Sequence, residues 1–262
     1  MNIEYIINEE SSVVSDIVYQ KDATRSHHHL WSMLIRKNRI DSLFEKLYYK
    51  INRIPKRKLY GVLYYKKEQM MPVKALYENS EILDFFPLVP SQEKISLHIE
   101  KIVEWSSKDE FEAEVEASNT NGCRIQFFAT DYLENYRVYE LGGDQDIYLS
   151  AIAESIEKPL EVEKNYVALF GDLKESDYLL KSYHKDNAFH AIFMGRVLAI
   201  QDFIFENEPL KLLKIKIKIK GASNGFFALP VVVHRNHIKI NSLDVGDIVE
   251  GKVFLQGRVI SD

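Results

Sequence analysis

Leu213-Lys214-Ile215-Lys216-Ile217-Lys218-Ile219-Lys220 alternates apolar and cationic residues without a break. A period of two is that of a β-strand with one buried face; wound as a helix, the same residues would scatter Ile and Lys around the circumference. Leu210–Lys220 therefore reads as a strand. Gly221–Gly225 turns the chain, and the apolar run Phe226–Val233 returns beside it. Phe189–Ile200 reads as a long strand before this hairpin. Ile248–Val259 reads as another after it, with Gly251 and Gly257 permitting sharp coiling or bulges.

The same period governs an earlier stretch. Ile95, Leu97, Ile99 and Ile102 begin a strand, and Phe111, Ala113, Val115 and Ala117 alternate with Glu110, Glu112, Glu114 and Glu116, giving a strand with an acidic outer face. Asn119-Thr120-Asn121-Gly122 turns into Arg124–Thr130, which completes a hairpin. Val138–Leu141 and Asp146–Ala153 read as two further strands separated by Gly142-Gly143. About five short strands in about 65 residues is the spacing of a small barrel. Glu161–Tyr183 connects the two groups, and its Val167–Phe170 run fits another strand.

The N-terminal part differs. From Ser26 to Ile51 apolar residues recur at helical steps, with Ile40, Leu43, Phe44, Leu47 and Ile51 on one face. Ser42-Leu43-Phe44-Glu45 fits a capping box, which predicts a fresh helix near Asp41 after a break at Asn38. Pro55 ends it, Leu59–Tyr65 reads as a short strand, and Pro72, Pro87 and Pro90 mark a loop-rich stretch. The expected class is α+β, mainly β: a helical, basic region over 1–90, a first barrel or curled sheet over 91–160, a connector over 161–187 and a second barrel over 188–262.

The 262 residues include one cysteine, Cys123, which excludes an internal disulfide and leaves a cysteine-based zinc site without partners. No apolar run approaches the roughly 20 residues that span a bilayer, and Met1–Glu10 lacks a basic n-region, so a cytoplasmic protein with no membrane partner is expected. The net charge of −5 hides an asymmetry: Lys21–Leu76 holds 14 Lys+Arg against 4 Asp+Glu, leaving 20 basic and 35 acidic residues elsewhere. Such a split suits an anionic ligand or docking on the acidic part of the same chain.

The string Leu243-Asp244-Val245-Gly246-Asp247-Ile248-Val249-Glu250-Gly251-Lys252-Val253, with Gly195-Arg196-Val197 opening the first long strand of the group, resembles the turn-and-strand pattern of oligonucleotide/oligosaccharide-binding (OB) barrels. The resemblance covers about residues 188–260. It implies a closed, mainly antiparallel barrel and a nucleic-acid-binding role, since such barrels use one sheet face and the adjoining loops for oligonucleotides; they also bind sugars and proteins.

Two surfaces carry that chemistry. Lys214, Lys216, Lys218 and Lys220 would line one strand face about 6.5 to 7 Å apart, able to track phosphates or simply to solvate the face and protect an edge. Arg53, Lys56, Arg57 and Lys58, interleaved with Tyr60 and Tyr64 and near Tyr48, Tyr49, Tyr65, Lys66 and Lys67, suit single-stranded nucleic acid or an acidic protein surface. His27-His28-His29 and the pair His234 and His237 read as solvated or locally hydrogen-bonded side chains, and no metal or cofactor is expected. Asp131, Glu134, Asp144 and Asp146 gather near two loops and read as a solvated face, with acid–base work or divalent-ion binding as the sharper alternative. Trp31 and Trp105 read as core or interface residues. The chain has no Walker loop, no G-x-G-x-x-G and no G-x-S-x-G elbow, so no catalytic residue is assigned. The expected function is non-enzymatic binding, of nucleic acid or of a protein partner as an adaptor, assembly subunit or toxin-neutralising module, with an enzyme of unrecognised site as the further alternative.

Overall fold

The computed structural model describes residues 3–5, 18–21, 31, 33–51, 60–65, 70–78, 81–105, 113–119, 124–159, 180–182, 190–218 and 226–260. In chain order the elements are β1 (Ile3–Tyr5), β2 (Val18–Lys21), α1 (Lys37–Ile51), β3 (Tyr60–Tyr65), β4 (Val73–Glu78), β5 (Glu81–Pro87), β6 (Lys94–Trp105), β7 (Ala113–Ser118), β8 (Arg124–Ala129), α2 (Tyr132–Leu141), β9 (Gly143–Glu157), β10 (Leu180–Ser182), β11 (His190–Phe205), β12 (Glu208–Lys218), β13 (Phe226–His234), a 3₁₀ turn (Arg235–His237) and β14 (Ile248–Val259). The class is α+β, mainly β, with a helical and mixed N-terminal unit ahead of a large curled sheet.

Two interlocked rings make up most of that sheet, with β2 added beside β6 and β10 beside β11. In the first, β6, β7 and β8 pair antiparallel in sequence; β8 then runs parallel to β14, which pairs antiparallel with β9, and β9 closes on β6. In the second, β11, β12 and β13 pair antiparallel, β13 runs parallel to β9, and β14 pairs with both β9 and β11. Thus β9 and β14, with 15 and 12 residues, each serve both rings. Alternation explains the closure: Val115, Phe127, Leu149, Ala151, Ile215, Leu229, Val231 and Val253 point inward into one continuous core. Gly251 and Gly257 lie where β14 passes closest to its neighbours; a Cβ at Gly251 would sit 2.7 Å from the Phe193 ring, and one at Gly257 would collide with the Phe127 ring.

The outward face is covered over part of its area. Phe128, Ile152, Leu210, Val232 and Phe254 point out of the rings and join Trp31, Leu34, Leu43, Leu47, Val73 and Phe86 of the N-terminal unit in a second core. That unit contains α1 and the antiparallel sheet β1-β3-β4-β5. Gln256 of β14 staples the two parts together: its amide donates to the Pro87 carbonyl at 2.7 Å, and its oxygen accepts from the Val89 N–H at 3.1 Å.

Several local expectations need correction. The helix α1 starts at Lys37, not near Asp41, because the Arg36 carbonyl already accepts from Arg39 and Ile40. Ile40, Leu43 and Leu47 are buried, whereas Phe44 is 41% exposed. The proline-marked stretch is two strands, not loop: Pro72 precedes β4 and Pro87 ends β5, positions where a missing ladder N–H costs nothing. Val138–Leu141 belongs to α2. Tyr132, Leu133 and Tyr139 are the buried side chains of that helix, and Gly142 and Gly143, both at positive φ, stop it and start β9. Glu114 is buried beside Phe128, so the acidic face of β7 is not wholly solvated. The Val167–Phe170 run lies outside the described residues, as do Cys123 and the turns at 120–122 and 221–225.

Candidate functional site

Three cations of the N-terminal segment, Arg36, Lys46 and Lys74, meet carboxylates of the sheet and its connections. Glu206 and Asn207 hold φ of 47° and 66°, the left-handed pair of a two-residue hairpin turn between β11 and β12. This turn thrusts Glu206 and Glu208 against the helical unit. Lys46 on α1 donates to Glu206 at 2.6 Å, and Arg36 pairs with Glu208 at 3.0 Å. Both carboxylates are buried, so these contacts are less screened than surface pairs. Lys74 on β4, 1% exposed, donates to Glu134 at 2.6 Å and to the Thr130 carbonyl.

Beside Lys74 lies a buried acidic centre. Asp131 precedes α2 and accepts from Tyr139 at 2.6 Å, from Asn135 at 2.8 Å and from the Val259 N–H at 3.1 Å. Burial pushes its pKa up from 3.8 to about 6 and outweighs these donors; neighbouring Glu134 adds to the rise. Burial, with Asp131 alongside, also pushes the Tyr139 phenol well above its usual value. The expectation of a solvated face fails for Asp131, while Asp144 and Asp146 follow it, holding His98 at 2.9 Å and Lys94 at 2.6 Å in exposed pairs.

A second polar row follows the outer rim of the second ring. His234 lies 3.4 Å from Glu208, His190 pairs with Glu154 at 2.8 Å, and His237 sits between them with its ring 5.7 Å from that of His234. Burial, then His234, pushes the His237 pKa down. His190 and His234 are buried, and His234 is locally hydrogen-bonded, accepting from the Asn236 N–H at 3.1 Å. Among the described residues no group of three His, Cys, Asp or Glu side chains is placed to hold a metal ion.

The lysine stripe continues the same outer face past the point where the N-terminal unit stops. Leu210 and Leu212 are covered, and Lys214 and Lys216 emerge. Lys214 donates to Glu93 at 2.6 Å. Lys216 stands 3.7 Å above the Phe226 ring, itself 49% exposed, and Arg196 faces Lys216 across β11 and donates to the Gly246 carbonyl at 2.9 Å. The missing aromatic partner of the stripe is thus on the neighbouring strand, where a single-strand pattern does not reveal it; Lys218 opposite Phe226 in the hairpin register is the only hint. Lys218 closes β12, and Lys220 lies outside the described residues. So do Arg53, Lys56, Arg57, Lys58 and His27–His29, whereas Tyr60 and Tyr64 are placed by backbone alone, in β3 opposite Glu78 and Lys74. Tyr48 and Tyr49 are exposed on α1, and Trp31 is buried, donating to the Phe85 carbonyl at 2.9 Å.

No described helix is long and apolar enough to cross a membrane. No protein-family model matches the chain, and no curated protein sequence matches it. Among solved structures, the cytoplasmic molybdate-binding protein ModG, in a crystal form with molybdate bound, is similar at 13% identity with a TM-score of 0.34, over 64% of this chain and 96% of its own. At that score the likeness bears on none of the residues described above.

Proposed function

We propose that the chain is a non-enzymatic binding protein built on two OB-type rings, and that it works by protein–protein interaction. The first ring has the strand order 1-2-3-5-4 of such barrels, with the parallel pair between strands three and five; the second has the same spatial order as a circular permutation, β9 taking the fifth place although it precedes β11 in the chain. The observation that carries the reading is what covers the outer face of β12 and β13: polypeptide of the same chain. Leu210, Val232 and Phe205 lie under Trp31 and Leu34, and Glu206 and Glu208 take Lys46 and Arg36. Three cations of the basic segment, Arg36, Lys46 and Lys74, are thereby engaged by the chain's own acids. The uncovered remainder of that face, Arg196, Lys214, Lys216 and Phe226, offers cations flanking an exposed ring, which suits an acidic protein segment carrying an apolar or aromatic residue.

Single-stranded nucleic acid is the second reading, favoured by one observation: Lys216 and Phe226 lie on strands two and three of the ring, the strands whose face takes oligonucleotides in OB barrels. Fluorescence anisotropy with two labelled probes separates them: an acidic peptide containing one Phe, and an oligothymidylate. The proposal expects the peptide to bind and the oligonucleotide to bind more weakly at the same salt. Tighter oligonucleotide binding, with a log–log salt slope that falls by about 0.7 for each contact removed in a Lys214→Gln, Lys216→Gln, Lys218→Gln variant, would establish the second reading. Binding of neither probe at low salt overturns the assignment of this face.

A further inference from the structure

β11 is bordered by β14 only over its first half. The pairing runs from His190↔Phe254 to Arg196↔Ile248, and the Asp244–Asp247 turn then caps it: Val197 donates to Asp247 and accepts from Gly246. A bulge at Leu198 follows, and β11 continues to Phe205 paired with β12 alone. Among the described residues no strand pairs with the other side of β11 from Leu198 to Ile204. This stretch therefore presents a row of backbone N–H and C=O groups of the kind that accepts an added strand.

Protein edges of this length are normally blunted by charge, proline, a β-bulge or cover. In β11 the bulge sits at Leu198, the first residue of the row, and Ala199 to Phe205 keep an unbroken register with β12. Here the single charge, Asp202, is already held by Lys211 of β12 at 2.6 Å, and Ala199, Gln201 and Asp202 are exposed. Two large apolar side chains bracket the row: Leu198 is 40% exposed and Ile204 is 73% exposed. Their spacing is symmetric about Gln201. We propose that this edge pairs antiparallel with the same edge of a second copy of this chain, about a two-fold axis at Gln201. In that register Leu198 meets Ile204 of the partner subunit, and the reciprocal contact forms at the other end, so both exposed apolar side chains are covered by one isologous interface. The occupant is a second copy because the row is complementary to itself. The interface borders the Lys214 and Lys216 face, Ala199 being the register partner of Lys214, but uses none of the side chains assigned to that face.

Sedimentation equilibrium of the full chain tests it. The expected mass is twice 30.6 kDa at high concentration, falling to 30.6 kDa on dilution. Leu198→Lys combined with Ile204→Lys sets like charges opposite each other at both ends and is expected to weaken the dimer at least tenfold. Leu198→Glu combined with Ile204→Lys sets opposite charges in the same register and is expected to restore it. Both positions are exposed, and circular dichroism verifies that each variant remains folded. A wild-type chain that stays monomeric at every concentration overturns the proposal. So does a dimer that the like-charge variant leaves intact, or one that the opposite-charge variant fails to recover.

Discussion

Replacing Asp131 by Asn should flatten one segment of the pH dependence of stability. The carboxyl is buried among Tyr139, Asn135 and the Val259 N–H, and its pKa is raised from 3.8 to about 6. The folded protein therefore holds this proton more tightly than the unfolded chain does. The resulting stabilisation is fully present below pH 3.8 and is lost as pH rises through about 6. A rise of about two units, at about 1.4 kcal/mol per unit, corresponds to about 3 kcal/mol in all, of which about 2 kcal/mol falls between about pH 4.5 and pH 7.5. An asparagine keeps the shape: its oxygen accepts from Asn135 and Val259, and its amide donates to the Tyr139 oxygen. Urea denaturation of both proteins at several pH values measures the difference in unfolding free energy. The wild type should lose about 2 kcal/mol relative to the variant across that window, most steeply near pH 5, midway between the unfolded and folded pKa values. A difference that stays flat from low to neutral pH would refute the reasoning, because Asp131 would then titrate as it does in the unfolded chain.

Other substitutions test the joins of the structure. Lys74→Met removes the buried partner of Glu134 and should cost about 3 kcal/mol, read by urea melts, with most of it regained when Glu134→Leu is added. Gln256→Leu leaves the Pro87 carbonyl and the Val89 N–H without their buried bonds and should cost about 2 kcal/mol, with proteolysis detaching the N-terminal unit sooner. Gly195→Ala brings a Cβ within 2.6 Å of the Lys216 carbonyl oxygen, so β11 and β12 must part and thermal melts should show a loss of about 2 to 3 kcal/mol.

The parts of the fold that were legible in the sequence are those where one face is wet and the other dry. Leu213, Ile215 and Ile217 against Lys214 and Lys216 announced β12, and the Val245–Asp247 turn announced β14, whose observed limits are Ile248 and Val259. Legibility fails where both faces are buried or where a partner lies far along the chain. Val73–Glu78 carries Lys74 on a buried position, so its alternation conceals a strand until Glu134 and Thr130 are brought to it. Tyr132–Leu141 carries Val138, Tyr139 and Leu141, which mimic a strand, and only the contacts of Asp131 with Asn135 and Tyr139 fix the helical turn. The candidate surface was half visible. The lysines stood out by spacing, while Phe226 and Arg196 belong to it only through cross-strand register. The use of the N-terminal cations was open between a ligand and the chain itself; Arg36, Lys46 and Lys74 are now seen against Glu208, Glu206 and Glu134.

Whether the uncovered part of the second ring is the binding surface can be read most directly by NMR, following backbone amide shifts as the Phe-containing acidic peptide is titrated into labelled protein. The largest changes should fall together at Arg196, Lys214, Lys216 and Phe226 and saturate along one binding curve. Saturable changes gathered on another face, with these four residues unmoved, would contradict the proposed site.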